Sequence, residues 1–158
     1  MKLVKLEHKF YAENSHLKEA LDNHQGNWEK GKIRGYGIVL VNYGQHQFAI
    51  PLRSNINHKA CFLTSGQNSQ SNNIRKGLDF SKALLIKDPN YISRELFKIS
   101  DKKHDILKSK EHYIKNKFNQ YIEKYIRALL KSDQRILNLP EYRFTTLQNY
   151  HLELTNPN

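Results

Sequence analysis

With 158 residues, 38% of them hydrophobic, the chain is long enough to bury one ordinary core and too short for two. Lysine and arginine outnumber aspartate and glutamate by 26 to 15, giving a formal charge of +11 and a pI near 9.7, so the expected partner is a polyanion, nucleic acid ahead of an anionic membrane surface. A lone cysteine, Cys61, excludes an intramolecular disulfide, and no signal-peptide pattern or membrane-length apolar run occurs; we expect one cytoplasmic domain over residues 1–158 that does not engage a membrane.

In chain order, Leu3, Leu6, Phe10 and Tyr11 lie in an opening segment that fits a strand or a short helix, with a strand expected. Asn14 or Ser15 caps an expected helix to about His24, because Leu17, Ala20 and Leu21 repeat at three and four; residues 23–31 read as a loop. Gly35-Tyr-Gly-Ile-Val-Leu-Val, the turn Asn42-Tyr-Gly and Gln47-Phe-Ala-Ile-Pro-Leu form a hairpin. A short strand follows at residues 59–63, then a polar tract over 65–73 that has nothing to bury and reads as a surface loop. Leu78, Phe80 and Ala83-Leu-Leu-Ile make a further strand that Asp88-Pro-Asn ends.

Over residues 101–131 the apolar positions recur at three and four, which predicts a long amphipathic helix with a basic outer face. A shorter helical piece is expected over 132–140 and a terminal helix over 145–154; no internal repeat is visible. Strands come first and helices last, so the expected fold is α+β: a small, strongly bent antiparallel sheet or partly open barrel, with a long C-terminal helix and shorter helices packed on it.

The charge is uneven. Residues 1–30 carry five basic and five acidic groups, residues 31–98 ten and three, and residues 99–158 eleven and seven. The basic excess is therefore greatest in the sheet segment, where Arg34, Arg53, Lys59, Arg75, Lys76 and Lys82 stand among Tyr36, Ser54, His58 and Ser81. Cations mixed with hydroxyls and an imidazole both bind a phosphodiester and act on it. Metal-dependent cleavage would need grouped carboxylates, and this segment offers only Asp79, Asp88 and Glu95 in no recognised spacing, so no metal or other cofactor is expected. RNA brings its own 2′-hydroxyl nucleophile. A ribonuclease then needs in-line geometry, a proton-transfer group and cations for the phosphorane, all of which Pro51-Leu-Arg-Ser-Asn-Ile-Asn-His-Lys could supply.

Plainer readings stand beside these. Ser54 fits a turn cap, His58 taken alone fits a structural or exposed histidine, and His8, His16 and His24 have no metal-site spacing. Tyr113, Phe118, Tyr121 and Tyr125 fit helix packing, while Trp28 fits either base stacking or closure of the core.

Gly35-Tyr-Gly-Ile-Val-Leu, Phe48-Ala-Ile-Pro-Leu-Arg-Ser, His58 and Lys76-Gly-Leu-Asp-Phe-Ser-Lys-Ala-Leu-Leu-Ile, in this order, resemble the RNase toxins of type III toxin–antitoxin systems, the ToxN/AbiQ superfamily and most of all its TenpN branch. The terminal segment over 145–154 is also similar, so the likeness covers most of the chain. It implies a sequence-selective, metal-independent endoribonuclease on a MazF/Kid-like core, leaving a 2′,3′-cyclic phosphate and a 5′-hydroxyl. It further implies a toxin held inactive by a repetitive antitoxin RNA that folds as a pseudoknot and that the toxin trims. Cellular or phage RNA would be the substrate, abortive infection the setting, and an RNA-bridged closed assembly a possible form.

By the same resemblance Ser54 is the key serine, and the basic residue before the glycine-containing strand is Arg34 or Lys32. The recurring histidine is His58, and an N-terminal aromatic residue matches Phe10 or Tyr11. Arg53 stands where ToxN-like members have threonine. The expected catalytic set is therefore Ser54, Arg53, Arg34 and His58, and the expected RNA-binding set is Lys32, Tyr36, Lys59, Arg75, Lys76, Lys82, Tyr11 and Trp28. The alternative is a non-enzymatic basic RNA-binding protein; a DNA-binding regulator lacks a helix-turn-helix pattern.

Overall fold

The structure, a computed structural model, describes residues 1–29, 37–65 and 75–156. Its organising element is the expected hairpin. Strands β4 (Ile38–Tyr43) and β5 (His46–Arg53) pair from Ile38 opposite Pro51 to Tyr43 opposite His46. The turn is tighter than the one expected, because Asn42 and Tyr43 stay in β4 and Gly44 takes the left-handed conformation at φ 55°.

The β5 strand is central and buried from Phe48 to Pro51. On its free side it pairs first with Leu84–Ile86 and then with Gly77–Asp79, and Pro51, which has no N–H to donate, falls between the two pairings. The single strand expected over residues 78–86 is thus two, β7 (Gly77–Asp79) and β8 (Leu84–Ile86), separated by a 3₁₀ turn at Phe80–Lys82. Asp79 imposes this break by accepting a hydrogen bond from Ser81 N at 3.0 Å, and Thr146 Oγ1 donates to the carbonyls of Ser81 and Ala83 from the far end of the chain.

With β1 (Leu3–Leu6), β6 (Cys61–Leu63) and β9 (Ile92–Leu96), the sheet runs β6-β7-β5-β4-β1-β9, every pair antiparallel. Strands β6 and β9 end this order without pairing to each other, and β8 pairs with β5 off it, so the sheet is not closed into a barrel. The β9 strand has no counterpart in the sequence reading: its Arg94-Glu-Leu is exposed, which suits an edge but hides the strand signal. The opening segment also divides, into β1 and helix α1 (His8–Glu13), on which Phe10 and Tyr11 are buried.

No helix forms over residues 14–24. Leu17 and Ala20 are buried as expected, but Glu19 and Asp22 take left-handed backbone conformations at φ 62° and 61°, which a right-handed helix does not accommodate. Long-range bonds decide the matter: Asn149 accepts from Lys18 N at 2.9 Å and donates to Lys18 O at 2.8 Å. The residues expected to be a plain loop contain a small hairpin, β2 (Asn23–His24) and β3 (Asn27–Trp28). The polar tract expected as a surface loop lies, beyond Ser65, outside the described residues.

The long helix is present but broken at Lys110 into α2 (Asp101–Ser109) and α3 (Glu111–Leu130). Its apolar stripe packs against the sheet, with Phe118 in edge contact with Phe48 and Phe80 at 5.4 and 5.5 Å between ring centres. Tyr121 and Tyr125 are core residues, whereas Tyr113 is half exposed against Phe62. The last third continues as α4 (Gln134–Leu137), the unexpected α5 (Pro140–Arg143), a 3₁₀ turn at Thr146–Asn149 and α6 (His151–Thr155), so the expected terminal helix is interrupted. The class is α+β, with an open antiparallel sheet and several helices.

Candidate active site

The end of β5 carries the most unusual polar arrangement among the described residues. Asp79, at the end of β7, is fully buried, at 0% exposure. An isolated carboxylate there would be very costly, and three side chains compensate it. Arg53 Nη1 donates to Asp79 Oδ2 at 2.8 Å, Ser81 Oγ donates to Oδ1 at 2.7 Å, and His58 Nε2 lies 3.1 Å from Oδ1. Burial pushes the Asp79 carboxyl up, but the hydrogen bonds from His58, Ser81 and Arg53 outweigh it and hold the group below its ordinary range.

The backbone brings these groups together by close approach. Arg53 pairs with Gly77, and Gly77 pairs with Leu63, placing the end of β5 beside β7 and β6. A β-carbon on Gly77 would stand 2.0 Å from Phe62 O, so only glycine allows β6 and β7 to lie this close. Beyond Arg53 the chain turns through Asn55 at φ 62°, and buried Ile56 donates its N–H to Arg75 O at 3.1 Å. This anchor returns His58 to the interior, where it is 8% exposed.

His58 faces a carboxylate through Nε2, which assigns a hydrogen to that nitrogen; Nδ1 is buried without a hydrogen-bond partner among the described residues. Ser81 Oγ also lies 3.2 Å from Nε2. Serine, histidine and aspartate are thus in contact, but serine and aspartate meet the same ring nitrogen and the serine is buried. A nucleophilic triad needs the two on opposite nitrogens. The cluster instead holds Arg53 in place, with Asp79 as its hub.

The expected residues divide sharply. Arg53 and His58 join the cluster, and Ser54 stands next to Arg53 in an exposed position. Lys59 and Lys76 are exposed, while half-buried Arg75 points Nη2 at Cys61 Sγ at 3.5 Å. Lys82 is mostly enclosed and donates to Glu19 O at 3.0 Å and Phe144 O at 2.8 Å; burial lowers its pKa, with Glu19 and Asp79 opposing.

Tyr11 is corrected to a core residue, and Trp28 packs against the core partly buried. Tyr11 is 4% exposed, and Trp28 meets its ring edge-on at 5.1 Å while Trp28 Nε1 donates to Tyr11 O at 2.6 Å. Both take part in packing α1 against the small hairpin, and buried Tyr11 offers no free face to a base. Arg34, Lys32 and Tyr36 lie outside the described residues. Among the described residues no three of His, Cys, Asp and Glu gather as a metal-binding group.

The sequence places Ser81 among the hydroxyls near these cations and Asp79 among ungrouped carboxylates, and neither belongs to the expected site set. Their signal is the Asp-Phe-Ser spacing, in which a carboxylate caps the N–H two residues on, but capping aspartates are common on surfaces. What distinguishes this one is its burial, which no local pattern encodes.

Beside the cluster lies a pocket of about 730 Å³, lined by residues of the 16–26 segment together with Arg53, Lys82 and Gln148. No family model, curated protein or solved structure matches this chain.

Proposed function

We propose that the protein is a sequence-selective, metal-independent endoribonuclease toxin of the type III toxin–antitoxin kind, on a core related to that of the MazF/Kid toxins. A repetitive antitoxin RNA folding as a pseudoknot is its proposed inhibitor and processing substrate, cellular or phage RNA its target, and anti-phage abortive infection in the cytoplasm its setting. The observation that carries this reading is the Arg53–Asp79 pair, 2.8 Å long, with a fully buried carboxylate and an arginine side chain 34% exposed. A guanidinium fixed at a strand end beside an exposed serine suits a scissile phosphate, because it does not have to be reoriented as charge develops. The net charge of +11 supplies the attraction for RNA.

In the reaction the ribose 2′-oxygen attacks phosphorus and loses its proton, and the bond to the 5′-oxygen of the next nucleotide breaks as that oxygen gains a proton. The products are a 2′,3′-cyclic phosphate and a 5′-hydroxyl. Ser54 orients the 2′-hydroxyl, and Arg53 stabilises the phosphorane. His58, enclosed against Asp79, is a positioning residue that acts through Asp79 on Arg53, while exposed Lys59 is accessible for proton transfer. Arg34, the remaining member of the proposed catalytic set, would add a second cation at the phosphate.

Incubation of the purified protein with mixed RNA in EDTA should give discrete fragments with cyclic-phosphate ends. Arg53→Ala should slow cleavage on the order of 10²-fold. Ser54→Ala should abolish toxicity while leaving antitoxin RNA binding near normal and steeply salt-dependent. Equal toxicity of Ser54→Ala would remove Ser54 from the mechanism. The burial of His58 favours a second reading, a non-enzymatic basic RNA-binding protein; RNA that is bound but stays whole would establish it.

A further inference from the structure

The pocket beside Arg53 has not been given a role by the proposed chemistry, which needs only the phosphate and its ribose. Its volume of about 730 Å³ lies within the roughly 300–1,000 Å³ of small-ligand pockets, far more than one phosphate group fills. Its wall is held rather than loose. Within the 16–26 segment Asn23 Nδ2 donates to Ser15 O at 2.8 Å, Asn23 Oδ1 accepts from Gly26 N at 2.9 Å, and Lys18 is tied by both backbone groups to Asn149. Lys82 closes the floor by binding the carbonyls of Glu19 and Phe144, which joins the segment to the C-terminal part of the chain.

The lining chemistry selects among occupants. Lys82 adds positive charge, but two carbonyls accept from its ammonium and the Glu19 carboxylate lies 3.6 Å away, so it has little left to give an anion. Lys18, Arg53 and Lys82 share the lining with the carboxylates of Glu19 and Asp22, so its charge is mixed and it is not built for a bare phosphate alone. A base edge, in contrast, presents N–H donors and lone-pair acceptors together. Gln148 serves such an edge: its Nε2 is fixed on Thr145 O at 2.9 Å, and its amide oxygen has no partner among the described residues. Leu21 lines the same space and supplies apolar surface for the flat face of a ring.

We infer that this pocket receives one unstacked nucleobase of a bound RNA, with Arg53 at its rim engaging the phosphate of the same nucleotide. The inference rests on the reading of the chain as an RNA-binding protein and deepens it by assigning where one base is read. Arg53 would then join two functions, one face tied to Asp79 and the other shared by phosphate and pocket.

The test is an amide chemical-shift titration of the full chain, in EDTA, with the four ribonucleoside 3′-monophosphates, ribose 5-phosphate and inorganic phosphate. Base-dependent shifts should concentrate in residues 17–26 and at Gln148, be strongest for one monophosphate, and be absent with the two probes that lack a base. Gln148→Ala should weaken that binding about threefold to tenfold, as loss of one hydrogen bond does. Leu21→Trp, which fills the pocket without removing a polar group, should weaken it at least as much. Equal shifts with ribose 5-phosphate would make this a phosphate site and overturn the inference, as would shifts confined to other residues or unchanged affinity in both variants. Absence of RNA cleavage would defeat the proposed activity alone, because the titration reads the pocket without any reaction.

Discussion

Two regions bury polar atoms in opposite ways. In the helical half, Tyr121 stacks on Tyr142 at 4.8 Å, its hydroxyl meets Glu141 O and Thr145 Oγ1 at 2.8 Å each, and the Tyr142 hydroxyl donates to Tyr121 O at 2.9 Å. These groups are neutral, and burial keeps them so: it pushes Tyr121 and Tyr142 well above the ordinary tyrosine value and Tyr125 up to about 12. At the end of β5, by contrast, Asp79 is buried as a charge and held below its ordinary value by His58, Ser81 and Arg53 against the cost of desolvation. A neutral hydroxyl on a backbone acceptor fixes packing and nothing more. A buried carboxylate whose cation reaches the surface fixes a charge where a ligand can meet it.

The largest expected effect that would break this contrast is Asp79→Ala. It leaves Arg53 and His58 without their acceptor, and urea unfolding should show a loss of about 3 kcal/mol, the low end for a broken buried pair because Arg53 keeps part of its hydration. A loss under about 1 kcal/mol would mean that the strand end does not depend on this carboxylate. Asp79→Asn should recover part of the loss and none of the fixed orientation of Arg53.

A smaller effect is expected from Tyr121→Phe, which removes the hydroxyl but keeps the ring stack. The same unfolding measurement should show a cost of about 1–2 kcal/mol that is level between pH 5 and 9, since the Tyr121 hydroxyl stays neutral there and its acceptors, Glu141 O and Thr145 Oγ1, carry no charge. A cost that changes over this range would tie the aromatic seam to an ionisation and erase the contrast.

The smallest effect sharpens it. Because the folded-state pKa of Asp79 is depressed, its contribution is fully present above the unfolded carboxylate value of roughly 3.9 and is lost as pH falls through the lower folded value. Wild type should therefore lose stability below about pH 4 more steeply than Asp79→Asn, as read by unfolding midpoints across acid pH. Parallel curves for the two proteins would assign the acid loss to other carboxylates.

Local pattern served the helical half well and the strand end poorly. The three-and-four spacing of Ile114, Phe118, Tyr121, Ile122 and Tyr125 predicts both a helix and its buried face, because a helix presents the same stripe wherever it packs. The hairpin of β4 and β5 is equally readable from β-branched and aromatic runs around a glycine turn. The segment around Leu17, Ala20 and Leu21 has helical spacing too, yet the side chain of Asn149, 131 residues away from Lys18, holds it in another shape. Trp28 fits base or core by its sequence alone, and the structure packs it partly buried on Tyr11.

What the amino-acid sequence determined by itself is therefore the basic charge, the α+β class, the central hairpin and the amphipathic helix, since these depend on composition and short-range periodicity. It also marked Arg53, Ser54 and His58 as a chemically capable run. Only the tertiary structure decided that Arg53 and His58 meet on Asp79, that Ser81 completes the cluster, and that Tyr11 belongs to the core. The contacts of Arg53 and His58 in the cluster join residues 21 to 26 positions apart through a β5–β7 pairing that glycine permits, and burial of a charge depends on what surrounds it in space, not on its neighbours along the chain.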